Sequence, residues 1–495
     1  MSPLLNHCAF GFVLLMAATV VPGQEPIALD SEWQLFVDYR LIESMDGAEL
    51  RLHRPEYAGV ALEFDAPWEG KFSGYVTVLH DGAIYRMYYR GMPEAGGDGS
   101  ELEVTCYAES PNGRNWVKPS LGLFEVMGTR DNNVILADSP PFTHNFAPFH
   151  DRNPQAADDE TFKALAGTAR GEPDRDIKGG LHAFASSDGI HWERLHDEPV
   201  ITEGAFDSQN VSFYSETEGQ YVCYFRTWDE GGFKGYRSIS RSTSEDFIHW
   251  TEPVPMTYGD TPREHLYTNQ TQPYFRAPSL YVAFPMRFMP GRRVLTPEQA
   301  AQLGVHVSDS GPSYASDVAD TVFMTTRGGS AYDRTFMEAF IRPGTDLGNW
   351  ASRAGMAAYG VVQTGDAELS VYKQFHYAQP SAYLGRYRLR LDGFASVNAP
   401  YEGGTFHTKP VVFEGTELVL NFATSAAGAI SVEIQTAGGD PIDGYRRDQC
   451  LPVIGDMTDR VVHWEDGSDI SELAGTPVRL KFEMKDCDLY ALKFR

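Results

Sequence analysis

The chain has 495 residues, more than one hydrophobic core usually organises, so two domains or a repeat architecture are favoured. Hydrophobic residues at 42% and charged residues at 22% exclude extensive disorder, while 25 Tyr, 29 Phe, 47 Gly and 30 Pro lean toward a turn-rich β protein. Sixty-eight Asp and Glu against 41 Lys and Arg leave a net charge of −27, which repels a phosphate backbone and excludes nucleic acid as an expected partner.

In chain order the first predicted element is a signal peptide over residues 1–23. An apolar run from Ala9 to Val21 is followed by Pro22, Gly23 and Gln24, so a secreted or periplasmic protein is expected. The run is too short to span a bilayer, and nothing later resembles a membrane helix. Of the remaining cysteines, Cys106 and Cys223 alternate with apolar neighbours as buried strand residues do. Cys450 and Cys487 lie in one C-terminal region and have the option of pairing in an oxidising compartment.

From residue 72 onward one phrase recurs. ESPNGRNW ends at Trp116, SSDGIHW at Trp192 and STSEDFIHW at Trp250, and TTRGGSAYDR has Tyr332 where Trp stands. Each copy follows an alternating run, such as ELEVTCYAE or GYRSISRS, that itself follows another strand-like run. The repeating unit is therefore several antiparallel strands. Its turn uses Ser, Asp and Asn to cap the bend and Gly to accept positive φ, and its Trp is expected to plug the layer between sheets.

Units at residues 72–140, 142–205, 207–260, 267–335 and 355–391 predict a five-bladed β-propeller over 30–391. WQLFVDYRLI, residues 33–42, is expected to complete the last blade. The one persuasive helix, TPEQAAQLG at 296–304, opens with a Thr cap and a Pro and is expected in an insertion of the fourth blade that borders the mouth. Beyond Leu391, TELVLNFATS, AISVEIQTA and PVRLKFEMKD read as strands of a C-terminal β-sandwich over 392–495. The predicted fold class is all-β.

These features together resemble the five-bladed glycoside hydrolases, the invertase-like and arabinanase-like families. The turn is also similar to the sialidase Asp-box, although Ser186, Asp188, Gly189 and Trp192 form a version one residue shorter. The invertase motif Asn-Asp-Pro-Asn-Gly and the Glu-Cys pair are absent, and Arg-Asp-Pro survives only as a scrambled echo in Asp151, Arg152, Asn153 and Pro154. The resemblance thus implies a scaffold and glycosidic cleavage, not a fructan substrate.

Glycosidic cleavage generally needs two carboxyl groups, one to protonate the leaving oxygen and one to attack or to activate water. Propeller mouths are built where inner strands begin, so Asp151, Asp207, Glu264 and Glu338 are the expected catalytic acids. FHDRNP places His150 and Arg152 around Asp151, and FDSQN places Asp207 ahead of the strand NVSFY with Asn210 beside it. REHLYTNQTQPY gathers Glu264, His265, Tyr267 and Asn269, a polar and aromatic density that suits sugar. Glu368 is expected to point inward from the fifth blade. Arg287, with Arg292 and Arg293, forms a basic cluster that favours an anionic sugar.

Structural readings stay open beside these: a turn ion pair for Asp151, a strand-leading turn for Asp207, and surface exposure for Glu338 and Glu368. The reading is a glycoside hydrolase acting on a polysaccharide or oligosaccharide. A non-catalytic sugar-binding propeller stays open, as does a polysaccharide lyase using Tyr267 or His265 as base and Arg287 as partner to a uronate. There is no phosphate loop, no G-x-S-x-G elbow and no H-E-x-x-H pair, so no cofactor or metal site is expected. A structural Ca²⁺ needs no linear signature and stays open.

Overall fold

The computed structural model describes residues 25–308 and 313–495, and the predicted signal peptide lies outside the described residues. Regular structure is almost entirely β, with one α-helix, Pro297–Gln302, among the described residues. No described helix is long and apolar enough to cross a membrane.

Five sheets follow one another as antiparallel meanders. The first is built from Gly74–His80, Tyr85–Gly91, Val104–Ser110 and Val134–Leu136. The second uses Ala147–His150, Phe162–Ala166, His182–Ser186 and Glu193–Arg194. The third uses Val211–Ser215, Gln220–Trp228, Arg237–Ser244 and Val254–Pro255. The fourth has Gln272–Tyr274, Ala277–Ala283 and Met324–Thr326. The fifth has Val362–Gly365, Glu368–Phe375, Tyr383–Arg390 and, from the N-terminal side of the chain, Glu56–Glu63.

The first strands of these sheets touch in succession from the first sheet to the fourth, and the fifth touches the first again. Gln270 Nε2 donating to the carbonyl of Ala357 at 2.8 Å links the fourth to the fifth. The sheets therefore form a closed ring.

The recurring turn does the structural work expected of it. Asp188 Oδ1 accepts the N–H groups of Ile190 and His191 at 2.8 Å each, and Ser186 Oγ donates to it at 3.1 Å. Asp246 repeats the pattern, and Asn112 does so with a side-chain amide. Gly189 and Gly113 occupy the left-handed region at φ 74° and 67°. Trp192 then packs edge-on against Tyr88 of the first sheet and Phe146 at the start of the second. Trp116 meets Tyr372 of the fifth sheet in the same way, and Tyr332 stacks on Tyr258. Such aromatic pairs contribute about 0.5–1.5 kcal/mol each beyond area burial.

Two boundaries differ from expectation. Gln34–Leu35 does not close the ring: it pairs with Val478–Phe494 in the C-terminal sheet. Closure falls to Glu56–Glu63, which pairs with Tyr383–Arg390. The physical reason is that residues 33–37 bury both faces. Trp33, Leu35 and Val37 join a cluster with Leu369 and Leu389 of the ring, whereas Phe36 enters the core of the C-terminal unit. A strand apolar on both sides fits between two layers and not on an exposed rim.

For the same reason the second unit is not confined to 392–495. Ile27–Leu29, Gln34–Leu35, Ile42–Asp46 and Glu49–Leu52 join the C-terminal strands in one ten-stranded hydrogen-bonded sheet. Its long strands, Leu418–Thr436 and Val478–Phe494, pair with register breaks and wrap a core that includes Phe406, Phe422, Trp464 and Phe482. Cys450 and Cys487 are free, buried thiols in this unit, so the disulfide option is not taken.

The helix is held by a capping box: Thr296 accepts from the N–H of Gln299, whose side chain accepts from the N–H of Thr296. It lies between the paired strands Met286–Met289 and Val318–Thr321. On either side of the undescribed residues of this insertion, His306 and Tyr314 pack edge-on against Phe72, two residues ahead of the first strand of the first sheet.

Candidate active site

Each first strand starts at the same end of the ring, and each antiparallel second strand ends there. The register sets Arg90 opposite Gly74 in the first sheet. In the third, Val211 faces Tyr224, so Arg226 stands just past the pairing, at the same end. Asn145 and Gln270, each two residues ahead of a first strand, Tyr75, the second residue of one, and Arg353, in the loop before the fifth sheet, have left-handed backbone at φ 55°, 53°, 51° and 61°. Each such conformation costs about 1 kcal/mol or more, and strain of this kind concentrates where side chains are aimed for function.

Tyr267 is the centre of the constellation. Arg353 Nε donates to its hydroxyl oxygen at 3.0 Å. The guanidinium carbons of Arg226, Arg353 and Arg237 stand 4.5, 5.2 and 5.4 Å from its ring centroid. Burial alone would raise the phenol, but the positive charges of Arg353 and Arg226 outweigh it and bring Tyr267 down to about 8. Asp207 accepts a hydrogen bond from Arg226 Nη2, and its side chain is 32% exposed. Asp207, Arg237 and Arg353 are thus the partly exposed members of a constellation in which Tyr267 and Arg226 are buried.

A second layer braces this one. Arg90 is buried 4.6 Å over the Tyr75 ring and donates to Asn145 Oδ1 at 3.2 Å and to the Tyr377 hydroxyl at 2.7 Å. Asn145 Nδ2 donates to the carbonyl of Asp207 at 3.4 Å, which ties the layers together. His144 Nδ1 lies 2.9 Å from Glu103 Oε2. Burial opposes charge on that imidazole, but Glu103 outweighs it and raises His144. The stability from this raised group is full below the ordinary histidine range and is lost as pH rises through the folded value. Beneath the mouth, Gln270 Nε2 donates to Gln209 Oε1 at 2.7 Å and Gln209 Nε2 donates to Thr77 Oγ1 at 2.9 Å, closing the axis with amides.

The four expected acids do not converge. Asp207 alone stands at the mouth. Asp151 lies at the far end of its strand as a buried ion-pair partner, accepting from Lys163 Nζ and the Tyr221 hydroxyl at 2.7 Å each. Glu264 is committed to Arg287 and Arg334, and Arg287 also holds Asp320 at 2.6 Å. Glu338 lies outside any strand, so the alternation read for it does not apply, and it is exposed.

Glu264, His265, Arg287 and Glu338 line one cleft of about 1040 Å³ on the flank of the mouth. A second cleft of about 660 Å³, with Trp228, Phe233, Tyr236 and Tyr258 in its wall, shares Glu264 with it. His265 accepts from the backbone N–H of Arg237 at 3.1 Å and stacks on Tyr236. His150 and Arg152 line a cavity of about 610 Å³ at the opposite end of the ring. Glu368 is held by Arg386 and Arg114 near the outer strands and does not point into the mouth. Asn210 and Asn269 are buried and bond to backbone: Asn210 to the carbonyls of Phe206 and Ser208, Asn269 to that of Tyr224. Among the described residues no group of three or more His, Cys, Asp or Glu is placed to hold a metal.

Arg90, Arg226, Arg237, Arg353, Glu103 and His144 were not anticipated, although a signal for some exists. YYRG and YFRTW both end a second strand with two aromatics and an Arg. FSGY, FTHN, FDSQ and YTNQ each precede or open a first strand, an aromatic followed by small and polar residues in one register. Aligning the repeats on these phrases instead of on the Trp turn puts Tyr75, Asn145, Gln209 and Gln270 in one column, with Asp207 and Tyr267 within three residues of it.

No protein-family model matches the chain, and no curated protein matches it. Solved structures do. A GH32 β-fructofuranosidase of Bombyx mori is 10% identical over 89% of this chain and 94% of its own, with a TM-score of 0.41. A fructofuranosidase of Schwanniomyces occidentalis, complexed with fructosylnystose, is 10% identical over 88% and 96%, with a TM-score of 0.39. An N-acetylgalactosamine deacetylase from F. plautii, in complex with blood group B trisaccharide, is 12% identical over 72% and 97%, with a TM-score of 0.43. Glycoside hydrolases, the class the sequence resembles, thus stand among the structural neighbours.

Proposed function

We propose that the protein is an exported glycoside hydrolase of a polysaccharide or oligosaccharide, that its ring is a five-bladed β-propeller, and that its active centre is the mouth around Tyr267 and Asp207. The observation that supports this is a phenol lowered to about 8 beside an accessible carboxylate, both anchored on Arg226. A paired-carboxylate mechanism lacks its second acid here. A phenol nucleophile is a known alternative to the carboxylate in glycosidases.

In this reading the Tyr267 oxygen attacks the anomeric carbon as the phenol proton passes by way of the Asp207 carboxylate to the departing oxygen. Water then cleaves the aryl glycoside formed, its proton returning by way of Asp207 to the phenol oxygen. The aromatic wall of the flanking cleft, Trp228, Phe233 and Tyr236, offers faces on which further sugar rings can stack.

Replacing Asp207 by Asn is expected to lower kcat/KM about 10²-fold on a natural glycan, within the range for lost general acid–base catalysis. On an aryl glycoside whose leaving group needs no proton the loss should be several-fold at most. An equal loss on both substrates would remove Asp207 from that role.

One observation favours a second reading. The same lowered phenol between Arg353 and Arg226 suits a base that takes the proton next to a uronate carboxylate, as in a lyase. Arg287, assigned that partnership from sequence, is instead bound by Glu264 and Asp320. Incubation with neutral, uronate and sulfated glycans separates the readings. New reducing ends without ultraviolet absorbance mean hydrolysis, and both together mean elimination. Binding without turnover would make the ring a recognition module.

A further inference from the structure

We propose that the mouth holds an anionic substituent, a carboxylate or sulfate, on the sugar being cleaved, and that Arg226, Arg237 and Arg353 are its receptor. The inference rests on the functional reading above and narrows its substrate class.

The argument is one of unbalanced charge. Three guanidinium groups converge on Tyr267, yet Asp207 is the one carboxylate in ion-pair contact with any of them among the described residues. Several other cations of this acidic chain have carboxylate partners: Lys163 has Asp151 and Glu160, Arg287 has Glu264 and Asp320, and Arg386 has Glu368. Lys373, buried without one, sheds its charge more readily, with its pKa lowered to about 7, an escape closed to a guanidinium. A net charge of −27 makes carboxylates the abundant partner, so two cations with none among the described residues mark a place that an external counter-charge would suit.

Hydrogen bonding points the same way. Arg226 is 3% exposed, and its Nε and Nη1 have no partner; nor does Arg237 Nε. A buried N–H without an acceptor is costly, and a charged one more so. Aromatic faces fix the planes of the guanidiniums: Trp228 and Phe288 under Arg237 at 4.5 and 4.8 Å, and Tyr314 under Arg353 at 4.9 Å. With faces occupied by rings, the N–H edges are what remains for a ligand. Planar donors of this type match the oxygens of carboxylate and sulfate, whereas sugar hydroxyls supply no charge to offset two cations.

The phenol is the internal competitor. The charged and titratable groups around Tyr267 are Arg226, Arg237, Arg353 and Asp207, with Tyr75 and Tyr377 behind. Above about pH 8 the Tyr267 phenolate supplies negative charge that a bound anion would otherwise provide. Anion affinity should therefore fall as pH rises through that value, and Tyr267→Phe should flatten the dependence.

The test is calorimetric binding of tetragalacturonate, a sulfated tetrasaccharide and neutral maltotetraose to the full chain. One of the anionic ligands is expected to bind at least tenfold more tightly than the neutral one, and which of them does so identifies the group. Arg237→Gln and Arg353→Gln strand no carboxylate among the described residues; each should lower that affinity about tenfold while circular dichroism stays unchanged. Asp207→Asn, which frees Arg226, should keep or raise it. Equal affinity for all three glycans, or indifference to both Arg variants, overturns the proposal. If neutral glycans are cleaved as fast as anionic ones, the anion inference falls and the hydrolase reading stands. If anionic glycans bind and nothing is cleaved, the reverse holds.

Discussion

Replacing Tyr267 by Phe is expected to lower kcat/KM on the cleaved glycan by about 10³-fold, the order found when a group acting in proton transfer or nucleophilic attack is removed. The change deletes one oxygen from a buried ring whose faces and edges stay packed by Phe288 and the surrounding guanidiniums. Because Arg353 loses a hydrogen-bond acceptor but not its stacking on Tyr314, the fold should survive with a loss near 1 kcal/mol. The diagnostic readout is the pH profile. In the native protein, hydrolysis that needs the phenol proton should fall as pH rises through about 8, the position set by the two arginines against the opposing effect of burial, whereas elimination by the ionised phenol should rise there. The residual activity of the Phe variant should lack that limb. Retention of both rate and limb would move the reacting group away from Tyr267.

The second large effect is on stability. Asp151→Ala should destabilise the protein by about 3 kcal/mol, since it removes the buried partner of Lys163 and leaves that charge only a half-exposed one. Lys163 is nearly inaccessible and keeps only Glu160, at 3.0 Å and the edge of solvent, together with the Tyr221 hydroxyl. The loss should appear as a lower midpoint of denaturant unfolding at constant slope, with kcat/KM of the remaining folded protein unchanged. A fall in kcat/KM without loss of stability would return Asp151 to the catalytic candidates. Replacing both residues by apolar ones of similar volume should recover most of the deficit, because the pair itself is close to neutral against a hydrophobic substitute.

The contrast between these residues shows what the sequence makes legible. Asp151 and Asp207 look alike in one dimension: each is an acid beside a strand of the ring's inner layer. One follows its strand and one precedes it, so they lie at opposite ends of the ring. Strand order is enough to set Asp207 and Tyr267 ahead of first strands, and the Trp turn is enough to space the sheets. Arg226 and Arg353 escaped because their role arises from distance through the ring: they belong to different sheets and meet only when it closes. Glu56–Glu63 escaped for another reason, since an outermost strand that is largely exposed carries little hydrophobic pattern.

That strand also dictates an order of events. Glu56–Glu63 is made before every other strand of the ring, but its partner Tyr383–Arg390 is among the last. Until the chain is almost complete, both edges stand unpaired, the condition under which nascent β proteins associate with copies of themselves. The two edges carry opposite charge: Glu56 and Glu63 on one, Arg386, Arg388 and Arg390 on the other. Like edges of two newly made chains repel, whereas the two edges of one chain attract, and Glu56 and Arg388 meet at 2.8 Å when they join. Biogenesis of the ring is thus guarded by the same residues that finish it.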